Sequence, residues 1–242
     1  MTKYRALLVG AALLAGSAFN ATAADLYGRG GSIKDGYMPM PMHSSPHAWY
    51  VRGDVGHIRY DDPTMIEVGR FDLNSTSIDN QWSAGLGFGY YFSKNVRGDL
   101  TWSHLFETDA QGRVPAPLVN FPGTRQFGLK SDVFLANIYY DFDTRSRFTP
   151  YIGMGIGLAH NKTTNGTVVD DCACPTGGYT NVAVAGASQW SVAAALMTGV
   201  SMNVRDRLHF DAGYRGLYLG EAHTGLITGT TGGALPTERT IF

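Results

Sequence analysis

The sequence predicts an all-β fold, an eight-stranded antiparallel up-and-down transmembrane β-barrel with a short last strand, preceded by a cleavable signal peptide. Three observations support this prediction. Apolar side chains recur at every second position in most segments, and that period is typical of strands. Long and short connections alternate strictly between the segments, as they do in barrels that cross a membrane. The centre of each apolar face carries no charge, and aromatic side chains gather at the segment ends.

The composition argues against a partner that is attracted by charge. The 19 Lys and Arg residues nearly balance the 20 Asp and Glu residues, so the net charge is −1. No basic cluster is present to attract nucleic acid, and no nucleic acid is expected as a partner. Charged residues make up only 16% of the chain, and its 31 glycines suit tight turns and crowded strand faces better than helices.

The amino end has the three parts of a secretory signal peptide. Lys3 and Arg5 precede an apolar run at 6–14, and small residues up to Ala23 form a cleavage site. The run is too short to span a bilayer as a helix, which needs roughly 18 or more apolar residues. We therefore predict a signal peptide at 1–23, a proline-containing periplasmic lead-in at 24–47 and the barrel at 48–242.

The clearest alternation runs from residue 81 to residue 106. The apolar face of its first half consists of Trp82, Ala84, Leu86, Phe88, Tyr90 and Phe92. After a polar turn, the second half continues with Val96, Gly98, Leu100 and Trp102. Small or charged residues fill the opposite phase, so this stretch is predicted to be a hairpin with one apolar face.

The same period predicts the remaining strands. They are expected at 49–60, 131–142, 150–160, 190–202 and 208–218, with a short eighth strand ending at Phe242. Long loops are expected at 61–80, 107–130, 161–187 and 220–235, and short turns at 93–95, 143–147 and 203–206. Each strand has about the 9–11 residues that a tilted crossing needs. If the first strand rises from the periplasm, every long loop lies outside the cell.

The apolar phase is predicted to face lipid, because charge there costs roughly 2–4 kcal/mol for Lys or Arg at the midplane. Aromatic side chains at both ends of this phase are typical of the two membrane interfaces. The predicted girdle consists of Trp49, Trp82, Tyr90, Phe92, Trp102, Tyr140, Phe142, Trp190 and Phe210.

The opposite phase is predicted to face the lumen. Its charged residues are Arg52, Asp54, Arg97, Asp99, Asp132, Asp141, Asp211 and Arg215. An eight-stranded barrel is just wide enough for side chains to fill it. Because a buried unpaired charge is costly, we expect an internal salt-bridge network and not an open pore.

Three motifs carry a resemblance to a known family. They are WYVRGDVG at 49–56, GLGFGYYF at 85–92 and PYIGMGIG at 150–157. With the signal peptide and terminal Phe242, they resemble alphaproteobacterial porin-family outer membrane proteins, relatives of the OmpA and OmpX barrels. The resemblance implies the cell outer membrane, with its lipid and lipopolysaccharide, as the environment. It further implies that the barrel-assembly machinery reads Phe242, and that the long loops meet host surface molecules.

Two tripeptides, Arg52-Gly53-Asp54 and Arg97-Gly98-Asp99, have the sequence of an integrin-binding motif. Such motifs need protruding loops, whereas both copies lie inside predicted strands with the charged side chains inward. We therefore assign them to lumen salt bridges.

Cys172 and Cys174 lie in a predicted loop with one residue between them. Export favours a disulfide, but a bridge at this spacing would be strained. A strained or free pair, pairing with another chain and a weak metal site are the alternatives. Zinc prefers four ligands, so two thiols without clustered histidines predict no metal site.

An enzyme is not predicted. Ser103 and His104 are adjacent in one strand and face opposite ways, while His209 and Asp211 lack an obvious nucleophile. No cofactor motif is present in the long loops. The predicted class is a structural or surface-interaction barrel, and a small-solute porin with a narrow pore is the alternative.

Overall fold

The computed structural model describes residues 8–17, 48–60, 66–67, 71–72, 74–114, 123–172, 178–205, 208–225 and 240–241. Every regular element in these ranges is a β-strand, which confirms the all-β class. The described residues include no helix with the length and hydropathy to cross a bilayer.

Fourteen strands are present in the described ranges. They are β1 (Leu8–Ser17), β2 (Trp49–Arg59), β3 (Ile66–Glu67), β4 (Phe71–Asp72), β5 (Asn74–Ile78), β6 (Gln81–Tyr91), β7 (Val96–Val114), β8 (Gly123–Asp141), β9 (Phe148–Thr163), β10 (Gly166–Cys172), β11 (Gly178–Val184), β12 (Ser188–Arg205), β13 (Leu208–Tyr218) and β14 (Thr240–Ile241).

Eight of these strands pair into a closed ring. The order is β1, β2, β6, β7, β8, β9, β12 and β13, and β13 pairs back onto β1. All eight pairings are antiparallel, and the order follows the chain. The predicted antiparallel barrel is confirmed, although one of its strands differs from the one expected.

Burial alternates along the ring strands as the period of two requires. In β2, Arg52 and Asp54 are buried while their neighbours Val51 and Val55 are exposed. The outward phase of the ring is apolar: Leu100 is 67% exposed, Ile156 67% and Leu196 69%. In a soluble barrel these side chains would be buried, so the exposed apolar face requires an apolar surrounding.

Three predicted loops contain strands, and these expectations are corrected. Strands β7 and β8 continue to Val114 and from Gly123, so the segment expected as a loop at 107–130 is largely a hairpin. The segment expected as a loop at 161–187 contains the β10–β11 hairpin, and β10 pairs with β8. The one expected at 61–80 contains β5, which pairs with β7. Polar strands that project beyond the membrane lack the apolar period on which the prediction depended.

The expectation for the closing strand is also corrected. The position between β13 and β2 is taken by Leu8–Ser17, within the stretch predicted to be a signal peptide. The terminal strand Thr240–Ile241 instead pairs with β3 in a separate three-stranded sheet. A short apolar run cannot be assigned to one structure by periodicity alone, and this run provides the backbone partners that both edges need. The lead-in at 24–47 and Phe242 lie outside the described residues.

Gly157 generates a prediction about the contact between β8 and β9. A Cβ atom at this position would lie 1.8 Å from the carbonyl oxygen of Phe134 and 2.9 Å from the Cα of Leu135. Backbone atoms cannot swing aside as a side chain can. Gly157→Ala is therefore expected to lower the free energy of unfolding by about 1–3 kcal/mol, measured by urea titration of the vesicle-inserted barrel.

The matched control for this prediction is Ala136→Val on β8. Ala136 faces outward and is exposed, so the added methyl groups meet no protein atom of the lumen. Its effect is expected to stay within about 0.5 kcal/mol. An unchanged unfolding midpoint for Gly157→Ala would contradict the close approach of β8 and β9 described above.

Candidate functional site

The lumen contains a connected set of charged side chains. Seven of these side chains come from four strands, and their residues are Arg52, Asp54, Arg97, Asp99, Asp141, Asp211 and Arg215. All seven occupy the inward phase, and all except Arg215 are buried. Three arginines thus face four aspartates inside the ring.

One half of the set is centred on Asp99. Its carboxylate accepts hydrogen bonds from Arg52 Nη1 at 3.1 Å, Tyr50 Oη at 3.0 Å and Asn137 Nδ2 at 2.7 Å. Arg52 also donates through Nε to Asp54 at 3.0 Å and through Nη1 to Tyr139 at 3.0 Å. Because a buried carboxylate needs donors on its lone pairs, these contacts compensate its loss of water.

The other half is centred on Arg97. Its Nε lies 3.1 Å from Asp141 Oδ2, and its Nη1 lies 4.0 Å from Asp211 Oδ2. The guanidinium carbon also lies 4.5 Å from the ring centroid of Tyr139 and 5.0 Å from that of Tyr151. Two carboxylates and two aromatic faces therefore surround this cation, an arrangement that stabilises a desolvated arginine.

Arg215 links the first half to the wall formed by β13. Its Nη2 lies 3.5 Å from Asp54 Oδ2. A small cavity remains beside it, lined by Arg52, Tyr139, Tyr151, Met197, Gly213, Tyr214 and Arg215. Charged and aromatic side chains occupy the middle of the described lumen.

The aromatic and amide partners of the network were not among the residues chosen from the sequence. Tyr50, Asn137 and Tyr139 all lie in the inward phase of strands that were predicted. The alternation of the sequence was therefore enough to predict that these side chains face the lumen. It could not predict which charged residues they contact, because the sequence alone does not give the register between distant strands.

The assignment of Asp132 to the lumen is wrong. Residue 132 shares its phase with Phe134 and Ile138, which are exposed on the outer surface. Its Oδ1 lies 2.7 Å from Nδ1 of His104, and its Oδ2 lies 3.7 Å from Nζ of Lys162. The physical reason is its height. Asp132 lies two residues before Phe134, nearer the outer rim of the barrel, where a paired charge on the outer face is tolerated.

The aromatic side chains of the predicted girdle all occupy the outward phase. Near the short turns, Trp49 contacts Phe88 at a centroid distance of 4.8 Å and Tyr90 at 4.6 Å. Near the other end, Trp190 stacks on His160 at 4.6 Å and packs against Phe134 at 6.1 Å. Two belts thus border the apolar band, one at each end.

The described residues contain no group of three or more His, Cys, Asp and Glu side chains able to hold a metal ion. Ser103 is buried in the lumen, whereas the neighbouring His104 lies on the outer face beside Asp132. The side chains of Cys172 and Cys174 lie outside the described part of the structure, so the alternatives for this pair stay predictions.

A closed ring that is apolar outside, belted with aromatic residues and charge-paired inside defines a membrane-spanning β-barrel protein. The comparison with protein families agrees with this class: the model of the outer membrane protein beta-barrel domain matches residues 10–233. The chain belongs to this family, and its location is the outer membrane.

Several relatives are similar over much of their length. An uncharacterised protein of Brucella suis is 29% identical over 204 residues, which cover 74% of this chain and 70% of the relative. A candidate adhesin of Rickettsia canadensis is 28% identical over 184 residues, covering 72% and 73%. The outer membrane protein PagN of Salmonella typhimurium is 32% identical over 142 residues, 56% of each chain. No solved structure matches the chain.

The lumen network generates a prediction about stability. Arg97→Met would leave the carboxylates of Asp141 and Asp211 without their central cation. The barrel is expected to lose about 3–5 kcal/mol of unfolding free energy, since removing one partner leaves an uncompensated buried charge. Urea unfolding in vesicles, followed by tryptophan fluorescence, measures this loss.

Two further variants test whether the loss comes from broken pairing. The double variant R97M/D141L is expected to recover part of the stability, because it removes cation and carboxylate together. Arg113→Met changes an exposed arginine of β7 by the same substitution and is expected to cost under about 0.5 kcal/mol. A loss at Arg113 as large as that at Arg97 would argue against the network.

Proposed function

We propose that this protein is a structural and surface-interaction barrel of the bacterial outer membrane, with a sealed lumen and functional outer surfaces. The filled interior carries this proposal. Buried ion pairs and the tyrosines around Arg97 occupy the space through which a solute would pass. The same filled interior weighs against the alternative of a small-solute porin. The ion pairs described in it do not form the nucleophile and base that an enzyme would need.

The unequal strand lengths favour a role on the cell surface. Strands β7 and β8 have 19 residues each, whereas β2, β6 and β13 have 11. From Trp102 to Val114, β7 runs about 40 Å further at the usual rise per residue. Strands β5, β10 and β11 widen this part of the sheet. Trp102 of β7 pairs with Phe134 of β8. We give the name outer wall to the residues of β7 after Trp102, the residues of β8 before Phe134, and these three strands.

The name of one relative supports contact with host surface molecules as the interaction, because that relative is described as a candidate adhesin. Polar, extended surfaces outside a rigid barrel are suited to binding. Outer-membrane lipid and lipopolysaccharide surround the barrel in this proposal, and the barrel-assembly machinery inserts it with Phe242 as the recognised residue.

The adhesive role is tested by display on a non-adherent laboratory bacterium. Cells carrying the full protein are expected to bind cultured host cells, and replacing 166–184 with a short turn is expected to remove most of this binding. Arg145→Asn, in the turn at the opposite end, is the control. Arg145 has φ 53°, which Asn tolerates, so neither fold nor adhesion should change.

Adhesion by the full protein no higher than by empty cells would contradict the adhesive role. Loss of adhesion by both variants alike would show that the hairpin does not provide the contact. Surface amounts of all three proteins are compared by protease shaving, so that reduced display is not mistaken for reduced binding.

The sealed lumen is tested by planar-bilayer recording of the refolded protein. No sizeable, reproducible single-channel steps are expected, because the charges in the described part of the lumen are paired and tyrosine rings crowd around them. Heat-modifiable gel migration of the same sample shows that the barrel has folded. Large regular steps from folded protein would overturn the sealed-lumen proposal and favour the narrow-pore alternative.

We further propose that residues 1–23 are removed during export. Cleavage would take β1 out of the ring and leave the facing edges of β2 and β13 without their partner. Lipid cannot satisfy such edges, so another strand must close the mature ring. The intact mass of protein extracted from outer membranes is expected to correspond to a chain starting at Ala24. A mass that includes 8–17 would instead assign β1 to the working barrel.

A further inference from the structure

Two lysines lie opposite one another on the outer face of the barrel. Lys130 of β8 and Lys162 of β9 are direct partners in the strand register, and each side chain is 38% exposed. Like charges directly opposite in a sheet are destabilising. An anion held between the two ammonium groups would replace this repulsion with two attractions.

The neighbouring acids neutralise this pair only loosely. Lys130 Nζ lies 4.0 Å from Glu107 Oε2, and Lys162 Nζ lies 3.7 Å from Asp132 Oδ2. Both distances exceed that of a hydrogen bond. Each acid also has a closer partner, since Asp132 lies 2.7 Å from His104 and Glu107 accepts a hydrogen bond from Thr164 at 2.9 Å. Both ammonium groups therefore have donors to offer another acceptor.

The height of the pair places it at the polar edge of the membrane. Along β9 the outward residues are Leu158 in the apolar band, His160 stacked on Trp190, and then Lys162. Lys162 thus lies about 7 Å along the strand beyond the aromatic belt. With the aromatic belt at the membrane interface, side chains at that height that point outward would face lipid headgroups.

We propose that Lys130 and Lys162 bind the phosphate of a phosphorylated glycolipid, of the lipopolysaccharide class, in the outer leaflet. This inference rests on the proposed function, in which the outer wall projects from the cell. A phosphate monoester carries a charge of about −1.5 to −2 and three acceptor oxygens, which match two adjacent ammonium groups.

The proposal is tested by lipid retention. Protein is folded into phosphatidylcholine vesicles containing bisphosphorylated lipid A and extracted in mild detergent, and the lipid A bound per barrel is quantified by mass spectrometry. Wild type and K130R/K162R are expected to retain lipid A, because both keep two cations at the site. K130Q/K162Q is expected to retain roughly tenfold less, and wild type to retain dephosphorylated lipid A as weakly.

The matched control is R59Q/K94Q, which changes the net charge by the same amount. Arg59 is exposed at the end of β2, and Lys94 is exposed in the turn at the opposite end of the barrel. This variant is expected to retain lipid A like wild type. Equal loss in both double variants would show a general charge effect and would overturn the site.

The remaining outcomes separate this inference from the proposed function. Equal retention by K130Q/K162Q and wild type, or equal retention of dephosphorylated lipid A, would refute the lysine site. Heat-modifiable migration in phosphatidylcholine alone tests the barrel itself. Folded protein without lipid A retention therefore refutes this inference alone, whereas a loss of host-cell adhesion with retention intact refutes only the adhesive role.

Discussion

The backbone hydrogen bond is the constraint on which the rest of this structure depends. In hydrocarbon, an unpaired N–H or C=O group costs several kcal/mol, so a sheet that spans a membrane must have no free edge. The ring meets this requirement at every junction, including the seam where β13 and β2 both pair with β1. Closure in turn divides every strand into an outward phase for lipid and an inward phase for the lumen.

Closure with few strands also decides the chemistry of the interior. A ring of this size leaves room only for side chains, so the charges of the inward phase meet each other and not bulk water. Small residues on one wall make space for large ones on the next: a Cβ at Gly153 would lie 2.4 Å from the Tyr139 ring, and one at Gly155 would lie 2.0 Å from Asn137 Oδ1. The glycine phase of β9 and the polar phase of β8 are therefore parts of one packing arrangement.

The period of two was enough to predict seven of the eight ring strands, because lipid on one side and a lumen filled with side chains on the other impose it directly. The period also places Asp132 on the outer face, because residues 132 and 134 lie on the same side of a strand. Its charge nevertheless led to the wrong assignment to the lumen. The outer wall could not be predicted in this way. No lipid imposes an apolar phase on its outer face, and its buried face mixes polar side chains such as Arg125 with apolar ones such as Phe127. The period of two is therefore lost in the hydrophobicity pattern, and the prolines between β7 and β8 suggested a loop.

The identity of the closing strand was beyond the sequence for a different reason. Leu8–Ser17 is apolar, which suits a signal peptide, and it is short, which suits a barrel strand. Periodicity alone does not distinguish a signal peptide from a barrel strand here. In the intact chain, the edges of β2 and β13 both need a hydrogen-bonding partner, which favours the barrel strand.

In the function proposed above, a sealed interior leaves selective recognition to the outside of the barrel, and the outside is not uniform. Strands β7 and β8 form the longest part of the outer wall, and the lysine pair lies near its base, on β8 and β9. A lipid phosphate bound there would fix the base of the outer wall against the leaflet. Because a long sheet transmits orientation along its hydrogen-bonded strands, holding its base would also restrict the direction in which the β10–β11 hairpin is presented. In these two proposals, the lipid contact on β8 and β9 therefore lies at the base of the surface that presents the β10–β11 hairpin.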